Sequence, residues 1–472
     1  MMNVATEVEY INPLNNQLIQ LRKEFNASPF PNADVRKDKL VTLKKSLLSH
    51  REALVSALSE DFGYRSEFDS VMADIMPTVT HINYSLKHIT QWMKPSKRHA
   101  GLVFAPSKIK VQYQPLGVVG IISPWNFPVI LSLAPLVTAI AAGNKVMLKL
   151  SEFTPKTNRV ITDILKVLPH DVEVVEGEAD TAQAFSQLPF DHLLFTGSTS
   201  VGRFVAKAAA DTLTPITLEL GGKSPVIVAQ DANLVKAVDA ILFGKCLNAG
   251  QICVSPDYAF VPQDLVDNFV QLFLDRFKLY YAQKKKLNKF TQIINQRQFD
   301  RLEQYLVDAK EKGAKIHTVE WDTSQQDRCL LPHLVTEISD DMALMQEEIF
   351  GPILPIMPYQ NIDDVIGYIN RGERPLALYL MSEDKELIQK VTSTTHSGGV
   401  AINDTVLHVG AEDAPFGGVG QSGIGHYHGI EGFHTFSHAK TVFHTPSWLP
   451  RNHFIMKNKK LALKVFNRFF LK

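Results

Sequence analysis

Cysteine is scarce in this chain: Cys246, Cys253 and Cys329 are the only three in 472 residues. So sparse and odd a set builds no disulfide framework and fits a reducing compartment, which makes the cytoplasm the expected location. Net charge is absent as well, with 49 basic against 49 acidic residues. No global field then steers the chain toward polyanions, and nucleic acid is not an expected partner. Residues 1–16 are polar, carry Glu7 and Glu9, and lack the basic start and apolar run of a secretory signal. Internal repeats and low-complexity tracts are also missing.

An uninterrupted long apolar run is missing too. Residues 111 to 144 hold no charge, but Pro115, Pro124, Pro128 and Pro135 break the stretch, with Trp125 and Asn126 between them. A single membrane helix needs about 20 unbroken apolar residues. The pattern instead reads as a buried strand (117–123), a Pro-Trp-Asn-Phe-Pro loop, and a buried helix through Ala142 that ends at Gly143.

What is present is a long, well-mixed chain: 45% hydrophobic, 21% charged and 25 prolines, a soluble globular composition that argues against extended disorder. Single cores stop growing near roughly 250–300 residues, so two large domains are expected. Residues 14–95 show the three-and-four spacing of helices, as in Leu40, Leu43, Leu47 and Leu48. From about 116, short apolar strands (117–123, 145–150, 172–175, 191–195, 215–220) alternate with helical stretches. Such alternation predicts an open parallel α/β sheet that binds ligands beyond the carboxyl ends of its strands. A second alternating block has strands at 224–228 and 258–261, then a long charged helical stretch through about Lys312, with Gly313 ending it. Gly221-Gly222 is the expected hinge. In the last twenty residues Lys460, Lys464, Arg468 and Lys472 lie opposite Ala462, Val465, Phe466 and Phe469, a basic amphipathic helix.

Several segments carry chemistry. Cys253 follows Gly250-Gln251-Ile252, and Glu219 sits in Leu-Glu-Leu-Gly-Gly-Lys shortly before it. A thiolate is the best side-chain nucleophile near neutral pH, and the thioester it can form needs a carboxylate to activate water. An isolated cysteine is more often inert and buried, but Glu219 and Asn126 each end a predicted strand in a Gly- or Pro-bounded segment. Leu218 and Leu220 place Glu219 in apolar surroundings, which should raise its pKa as suits a general base. The strand ending at Phe195 runs into Thr196-Gly197-Ser198-Thr199-Ser200-Val201-Gly202 and a helix, a phosphate-binding turn or an ordinary strand-to-helix turn. Arg203 and Phe204 stand where a P-loop needs Lys and Ser or Thr. Gly418-Val419-Gly420-Gln421-Ser422-Gly423 matches a dinucleotide fingerprint in letters only, since no strand precedes it. It reads as a glycine-rich loop near the active site. His426, His428, His434 and His438 lack an accompanying Cys or carboxylate cluster, so they are expected to be surface residues and no metal is expected.

Together, Pro124-Trp125-Asn126-Phe127-Pro128, Lys149 through Pro155, Phe195-Thr196-Gly197-Ser198, Leu218 through Lys223, Gly250 through Cys253, Glu347-Glu348-Ile349-Phe350-Gly351-Pro352 and Pro415-Phe416-Gly417-Gly418 occur in the order seen in aldehyde dehydrogenases. From about residue 15 to 445 the chain resembles that superfamily. Its ending, Ser422 through Gly429 and Thr435 through His438, looks like the class 3 branch and is most similar to the bacterial coniferyl aldehyde dehydrogenases.

The resemblance implies an aldehyde dehydrogenase-like fold: a Rossmann-like NAD-binding domain (1–98 and 115–220) and a catalytic domain (221–412), both open parallel α/β sheets. A small bridging β-element (99–114 and 430–445) would join subunits of a homodimer, followed by the basic tail (446–472). It implies that Cys253 attacks the aldehyde, that Asn126 with the Cys253 N–H stabilises the oxyanion, and that Glu219 activates the hydrolytic water. Cofactor residues would be Trp125, Lys149, Glu152, Gly197, Ser198, Gly202, Leu220, Glu348 and Phe350. Glu152 beside the ribose favours NAD, with NADP left open. The expected substrate is an aromatic, coniferaldehyde-like aldehyde. Medium- or long-chain aliphatic aldehydes, or a non-catalytic NAD-binding role, are the alternatives. The tail has two candidate contacts, the partner subunit or an anionic membrane surface.

Overall fold

The computed structural model describes residues 4–283, 286–287, 290–321 and 327–471. Helices Val4–Ala27, Ala33–Ser49, Arg51–Phe62 and Met76–Trp92 open the chain. Local chemistry sets their ends: Asn32 Oδ1 accepts the Val35 N–H at 3.0 Å, the N-cap arrangement that satisfies an otherwise orphaned donor. Leu40, Leu43 and Leu47 form the buried stripe, whereas Leu48 points to solvent.

A six-stranded sheet has the order Gly423–Ile424, Ile216–Glu219, His192–Thr196, Val118–Ile122, Lys145–Lys149, Val172–Val175. Every pairing is parallel except the first. The Val118–Ile122, Lys145–Lys149 and His192–Thr196 strands are buried end to end, as strands covered on both faces must be. The charge-free stretch supplies one of these strands and the helix Ile130–Ala142. That helix stops at Gly143, whose φ of 98° is left-handed, the conformation glycine adopts without a Cβ penalty.

From Glu219 the chain crosses through Gly221-Gly222 into a seven-stranded sheet. Its order is Lys315–Thr318, His333–Thr336, Ile353–Tyr359, Tyr258–Pro262, Pro225–Val228, Ala377–Met381, Gly399–Ile402, parallel apart from its first pair. Two parallel α/β sheets, between which the chain crosses at Gly221-Gly222 and returns after Ile402, are the expected fold class. A separate antiparallel sheet pairs Ser96–Arg98 with Lys108–Pro115 and that strand with Ser437–His444.

Two expectations change. The charged stretch read as one helix through Lys312 is two helices, Val266–Tyr281 and Gln296–Glu311. Asn295 caps the second by accepting the Gln298 N–H at 3.0 Å, and Phe290, Ile293 and Ile294 dip into the core between them. The basic tail is likewise broken, at Asn458, into Arg451–Lys457 and Lys459–Phe469. Of its apolar set only Ala462 is buried, and Lys472 lies outside the described residues. The small third sheet starts at Ser96, and helix Gly429–Thr435 precedes its last strand.

The glycine-rich 418–423 loop folds back as an edge strand on Ile216–Glu219: Gly423 pairs with Glu219, and the Leu220 N–H donates to Ser422 O at 3.1 Å. A Cβ on Gly423 would lie 2.4 Å from Leu218 O. Gly423→Ala should therefore push this edge off the sheet and cost about 1–3 kcal/mol, a scale typical of strained backbone sites. A lowered urea midpoint would show it, and an unchanged midpoint would contradict the close packing.

Candidate active site

The carboxyl ends of adjacent parallel strands bring the predicted residues to one edge. In register, Ile122 lies beside Lys149 and Phe195, and Thr196 beside Glu219. The chain after each strand therefore delivers Trp125 and Asn126, Lys149 through Glu152, Gly197 and Ser198, and Glu219 with Leu220 to neighbouring positions, where open parallel sheets bind ligands. The Gly197 N–H donates to Glu219 O at 3.0 Å, tying the phosphate-type turn to the strand that carries the acid.

Cys253 arrives from the second sheet's side on an unusual approach. Asn248, Ala249 and Gly250 have φ of 49°, 53° and 70°, three consecutive left-handed residues. Two of them are not glycine, and each such residue costs on the order of 1 kcal/mol or more unless its surroundings hold it. The surroundings do so. Asn248 Nδ2 donates to Asn126 O at 3.1 Å and to Gln251 O at 3.3 Å. Gln251 Nε2 donates to Asn248 O at 3.0 Å and Gln292 O at 3.1 Å, while Gln251 Oε1 accepts the Ile294 N–H at 3.0 Å. Gly250 is required here, because a Cβ would lie 2.5 Å from Gly351 O.

Asn126 Nδ2 donates to Gln251 O at 3.1 Å, so the proposed oxyanion donor is seated on the loop of the proposed nucleophile. The Cys253 and Val254 backbone N–H groups face the sulfur and favour its charged form. Burial dominates, followed by Glu348 and Glu219, and pushes the thiol up to about 12. Glu219 is 3% exposed, and neither of its oxygens has a hydrogen-bond partner among the described residues. Desolvation alone holds it well above the usual carboxylate range. The structure thus gathers Cys253, Asn126 and Glu219, and charge coupling links the sulfur to the acid.

The remaining residues form a cradle that fits a dinucleotide. Lys149, 1% exposed, donates to Leu150 O at 2.7 Å and pairs with Glu152 at 3.7 Å, a donor and an acceptor side by side for a ribose diol. Ser198 caps the helix Thr199–Asp211, accepting the Val201 N–H. This helix start faces a cleft of about 660 Å³ lined by Thr199, Gly221, Gly222 and Glu348 among others. A Cβ on Gly202 would lie 2.7 Å from the Leu220 side chain, so Gly202 and Leu220 pack helix on strand. Glu348 lies so close to Gly221 that a Cβ there would meet both its oxygens at 2.3 Å. Burial pushes Glu348 up to about 8, against the pull of the Gly222 N–H it accepts. Phe350, with φ of 50°, sets its ring edge-on to Trp125 at 5.4 Å.

The histidine expectation is corrected in part. His428 is buried, pushed down to about 3 by that burial and by His81, because it packs against Phe416 and Tyr427. His434 stacks on Tyr113 at 4.2 Å. Among the described residues no side-chain cluster could hold a metal ion. The supporting Asn248, Gln251 and Asp69, and Tyr427, buried within charge range of Glu219 and Cys253, were not read from the sequence. Only the position of Asn248 and Gln251 beside Cys253 hinted at them.

With this geometry in view, comparison with known proteins is decisive. The Aldehyde dehydrogenase family profile matches residues 23–442, and the chain belongs to that family. It is 50% identical over 438 residues, 92% of each chain, to a Pseudomonas aeruginosa protein described as a probable coniferyl aldehyde dehydrogenase. It is 36% identical over 90% of its length, and 87% of the relative's, to a family 3 aldehyde dehydrogenase of Mus musculus. Among solved structures, substrate-bound AldH of Staphylococcus aureus superposes with a TM-score of 0.90 at 36% identity, covering 98% of this chain and all of that one. An aldehyde dehydrogenase of Mycobacterium tuberculosis complexed with NAD+ gives 0.83 at 28% identity, with 92% and 91% covered.

The electrostatics make a direct prediction for the protein without cofactor. Iodoacetamide alkylation of Cys253 should rise steadily with pH above neutrality, because the thiolate is scarce below about 12. Glu219→Gln removes a negative neighbour and should move that profile to lower pH. An ordinary thiol profile in the wild type, or no movement in the variant, would contradict the coupling.

Proposed function

We propose that the chain oxidises an aldehyde to the carboxylic acid with NAD as hydride acceptor, and that its substrate is an aromatic, coniferaldehyde-like aldehyde. The observation that carries the chemistry is the buried, unpartnered Glu219 carboxyl coupled to the Cys253 thiol. Attack requires the thiol proton to leave to solvent in the open cleft, which keeps the Glu219 carboxyl for the later hydrolytic step. Cys253 Sγ then bonds the carbonyl carbon, and the Asn126 amide with the Cys253 N–H receives the developing oxyanion. Removing one such donor costs about 3–4 kcal/mol elsewhere. When bound, NAD supplies the acceptor for the substrate hydride. The thioester left on Cys253 is hydrolysed by water that Glu219 deprotonates, and the raised proton affinity of this carboxyl makes it a stronger base than an exposed glutamate.

Lys149 and Glu152 hold the adenosine ribose in this reading, Ser198 and the Gly197–Gly202 turn the pyrophosphate, and Glu348 with Phe350 and Trp125 the nicotinamide half. The NAD-bound structural relative supports that assignment. Glu152 disfavours a 2′-phosphate through like charge and so favours NAD over NADP. The coniferaldehyde assignment is supported by the relative that shares half of its residues with this chain. We assign 1–98 with 115–220 to cofactor binding, 221–412 to catalysis, and the small third sheet to homodimer formation. That sheet ends on Ser437–His444, and an outermost strand can pair with another copy. The cytoplasm is the proposed location, with peripheral membrane contact through the tail. Among the described residues no helix is long and apolar enough to cross a membrane. However, no acidic residue follows Glu431 in the sequence, and Trp448 and Phe469 are 71% and 68% exposed.

Steady-state kinetics with coniferaldehyde, benzaldehyde and octanal, each with NAD and NADP, test the function. Aldehyde-dependent NADH formation should be highest in kcat/KM for coniferaldehyde and should vanish in Cys253→Ala. Turnover surviving that change would reject the mechanism. A protonated Glu219 cannot accept the water proton, so thioester hydrolysis should accelerate as pH rises through its elevated pKa. A flat profile would contradict its role as base. For the tail, deleting residues 453–472 should abolish sedimentation with phosphatidylglycerol vesicles while leaving kcat unchanged. Undiminished sedimentation would rule the membrane contact out.

A further inference from the structure

The Asn126 loop and the Cys253 loop both lead to one guanidinium lying outside the site. Arg65 is 1% exposed. Its Nη1 donates to Asp74 Oδ2 at 3.1 Å, with both side chains fully enclosed. The other oxygen of Asp74 accepts the Ile130 N–H at 2.7 Å, at the start of the helix that follows the Asn126 loop. The guanidinium also lies over Phe127, the neighbour of Asn126, at 5.0 Å from the ring centroid, and over Phe62 at 5.1 Å. On the other side Asp69, within charge range of Arg65, accepts the Asn248 N–H at 3.2 Å and the Thr291 hydroxyl. Asn248 is the first residue of the left-handed turn that presents Cys253.

Two features argue that this network sets position rather than simply adding stability. Arg65 Nε and Nη2 have no hydrogen-bond partner among the described residues, and a buried ion pair so incompletely satisfied is often no more stable than apolar side chains of the same volume. Asp69 lies in the helix Glu67–Ser70, and Asp74 lies within the π-helical turn Val71–Ile75 that joins it to Met76–Trp92. Such single π turns within helices are rare and recur at functional sites. Here the turn lets one carboxylate reach the Asn248 N–H and the other the Ile130 N–H.

We propose that Arg65 is a positioning residue for aldehyde oxidation: through Asp74 and Phe127 it fixes the Asn126 loop, and through Asp69 it fixes the turn carrying Cys253, holding oxyanion donor and nucleophile in one register. The proposal rests on the catalytic reading above. Arg65→Lys keeps the charge but loses the planar fork, and Asp69→Asn keeps an acceptor but loses the charge.

Both full-length variants are compared with wild type by melting temperature, by NAD binding, by coniferaldehyde kinetics and by iodoacetamide alkylation of Cys253 without cofactor. In folded variants that still bind NAD, kcat should fall about 100-fold, the scale of a 1 Å misplacement, with KM changed far less. The loosened thiol, better solvated, should alkylate several-fold faster at neutral pH. If Arg65→Lys does not fold, Asp69→Asn carries the test. Wild-type kcat and alkylation rate in a folded variant would overturn the proposal. An inactive wild type would instead sink the catalytic reading, and the alkylation readout would still test the positioning.

Discussion

Everything at this site depends on the desolvation of charge where the two sheets meet. Glu219 lies in a space that offers its carboxylate no hydrogen bond from the described residues, and the Cys253 thiol and Glu348 feel the same exclusion of water. In water a glutamate is a weak base, and a thiol beside two carboxylates would be screened from them. In a low-dielectric cleft their proton affinities rise together, so that the ionisation of each group is felt by the others. The sheet architecture, in this sense, desolvates three ionisable groups, of which Glu219 has no hydrogen-bond partner among the described residues.

Such burial is tolerable only if the backbone around it is over-determined. The three left-handed residues before Cys253 would relax on their own. They are pinned by the Asn248 and Gln251 side chains, which bond backbone groups of Asn126, Gln292 and Ile294, and by the Asp69 carboxylate, which accepts the Asn248 N–H. The proposed nucleophile thus follows a strained turn held from three directions, and the proposed oxyanion donor, Asn126, is one of the residues that hold it. Strain and placement are here the same structural fact: the hydrogen bonds that enforce the unusual backbone also aim Asn126.

Much of this was legible in the sequence. The apolar runs at 117–123, 145–150, 191–195 and 215–220 announced buried parallel strands because each is bounded by Gly, Pro or charge. Cys253, Glu219 and Asn126 stood out because reactive residue types sat in segments whose neighbours had to be buried. The 418–423 segment was read as a loop near the site, and it leads into the edge strand Gly423–Ile424 beside Glu219. What escaped was non-local. Asp69 meets Asn248 across 179 residues, and no periodicity encodes such a contact. The interruption between Tyr281 and Gln296 was hidden by continuous charge, since helical spacing persists even where Phe290 turns into the core. His428 read as a surface residue because its polarity outweighed an apolar setting assembled from distant aromatic rings.

The most direct measurement is the intact mass of Glu219→Gln protein quenched shortly after mixing with coniferaldehyde and NAD. If sulfur and carboxyl divide the reaction between them, an acyl adduct should accumulate on the peptide containing Cys253 and persist, alongside a single turnover's worth of NADH. Unmodified protein together with continuing NADH formation, or an adduct on another residue, would contradict the account.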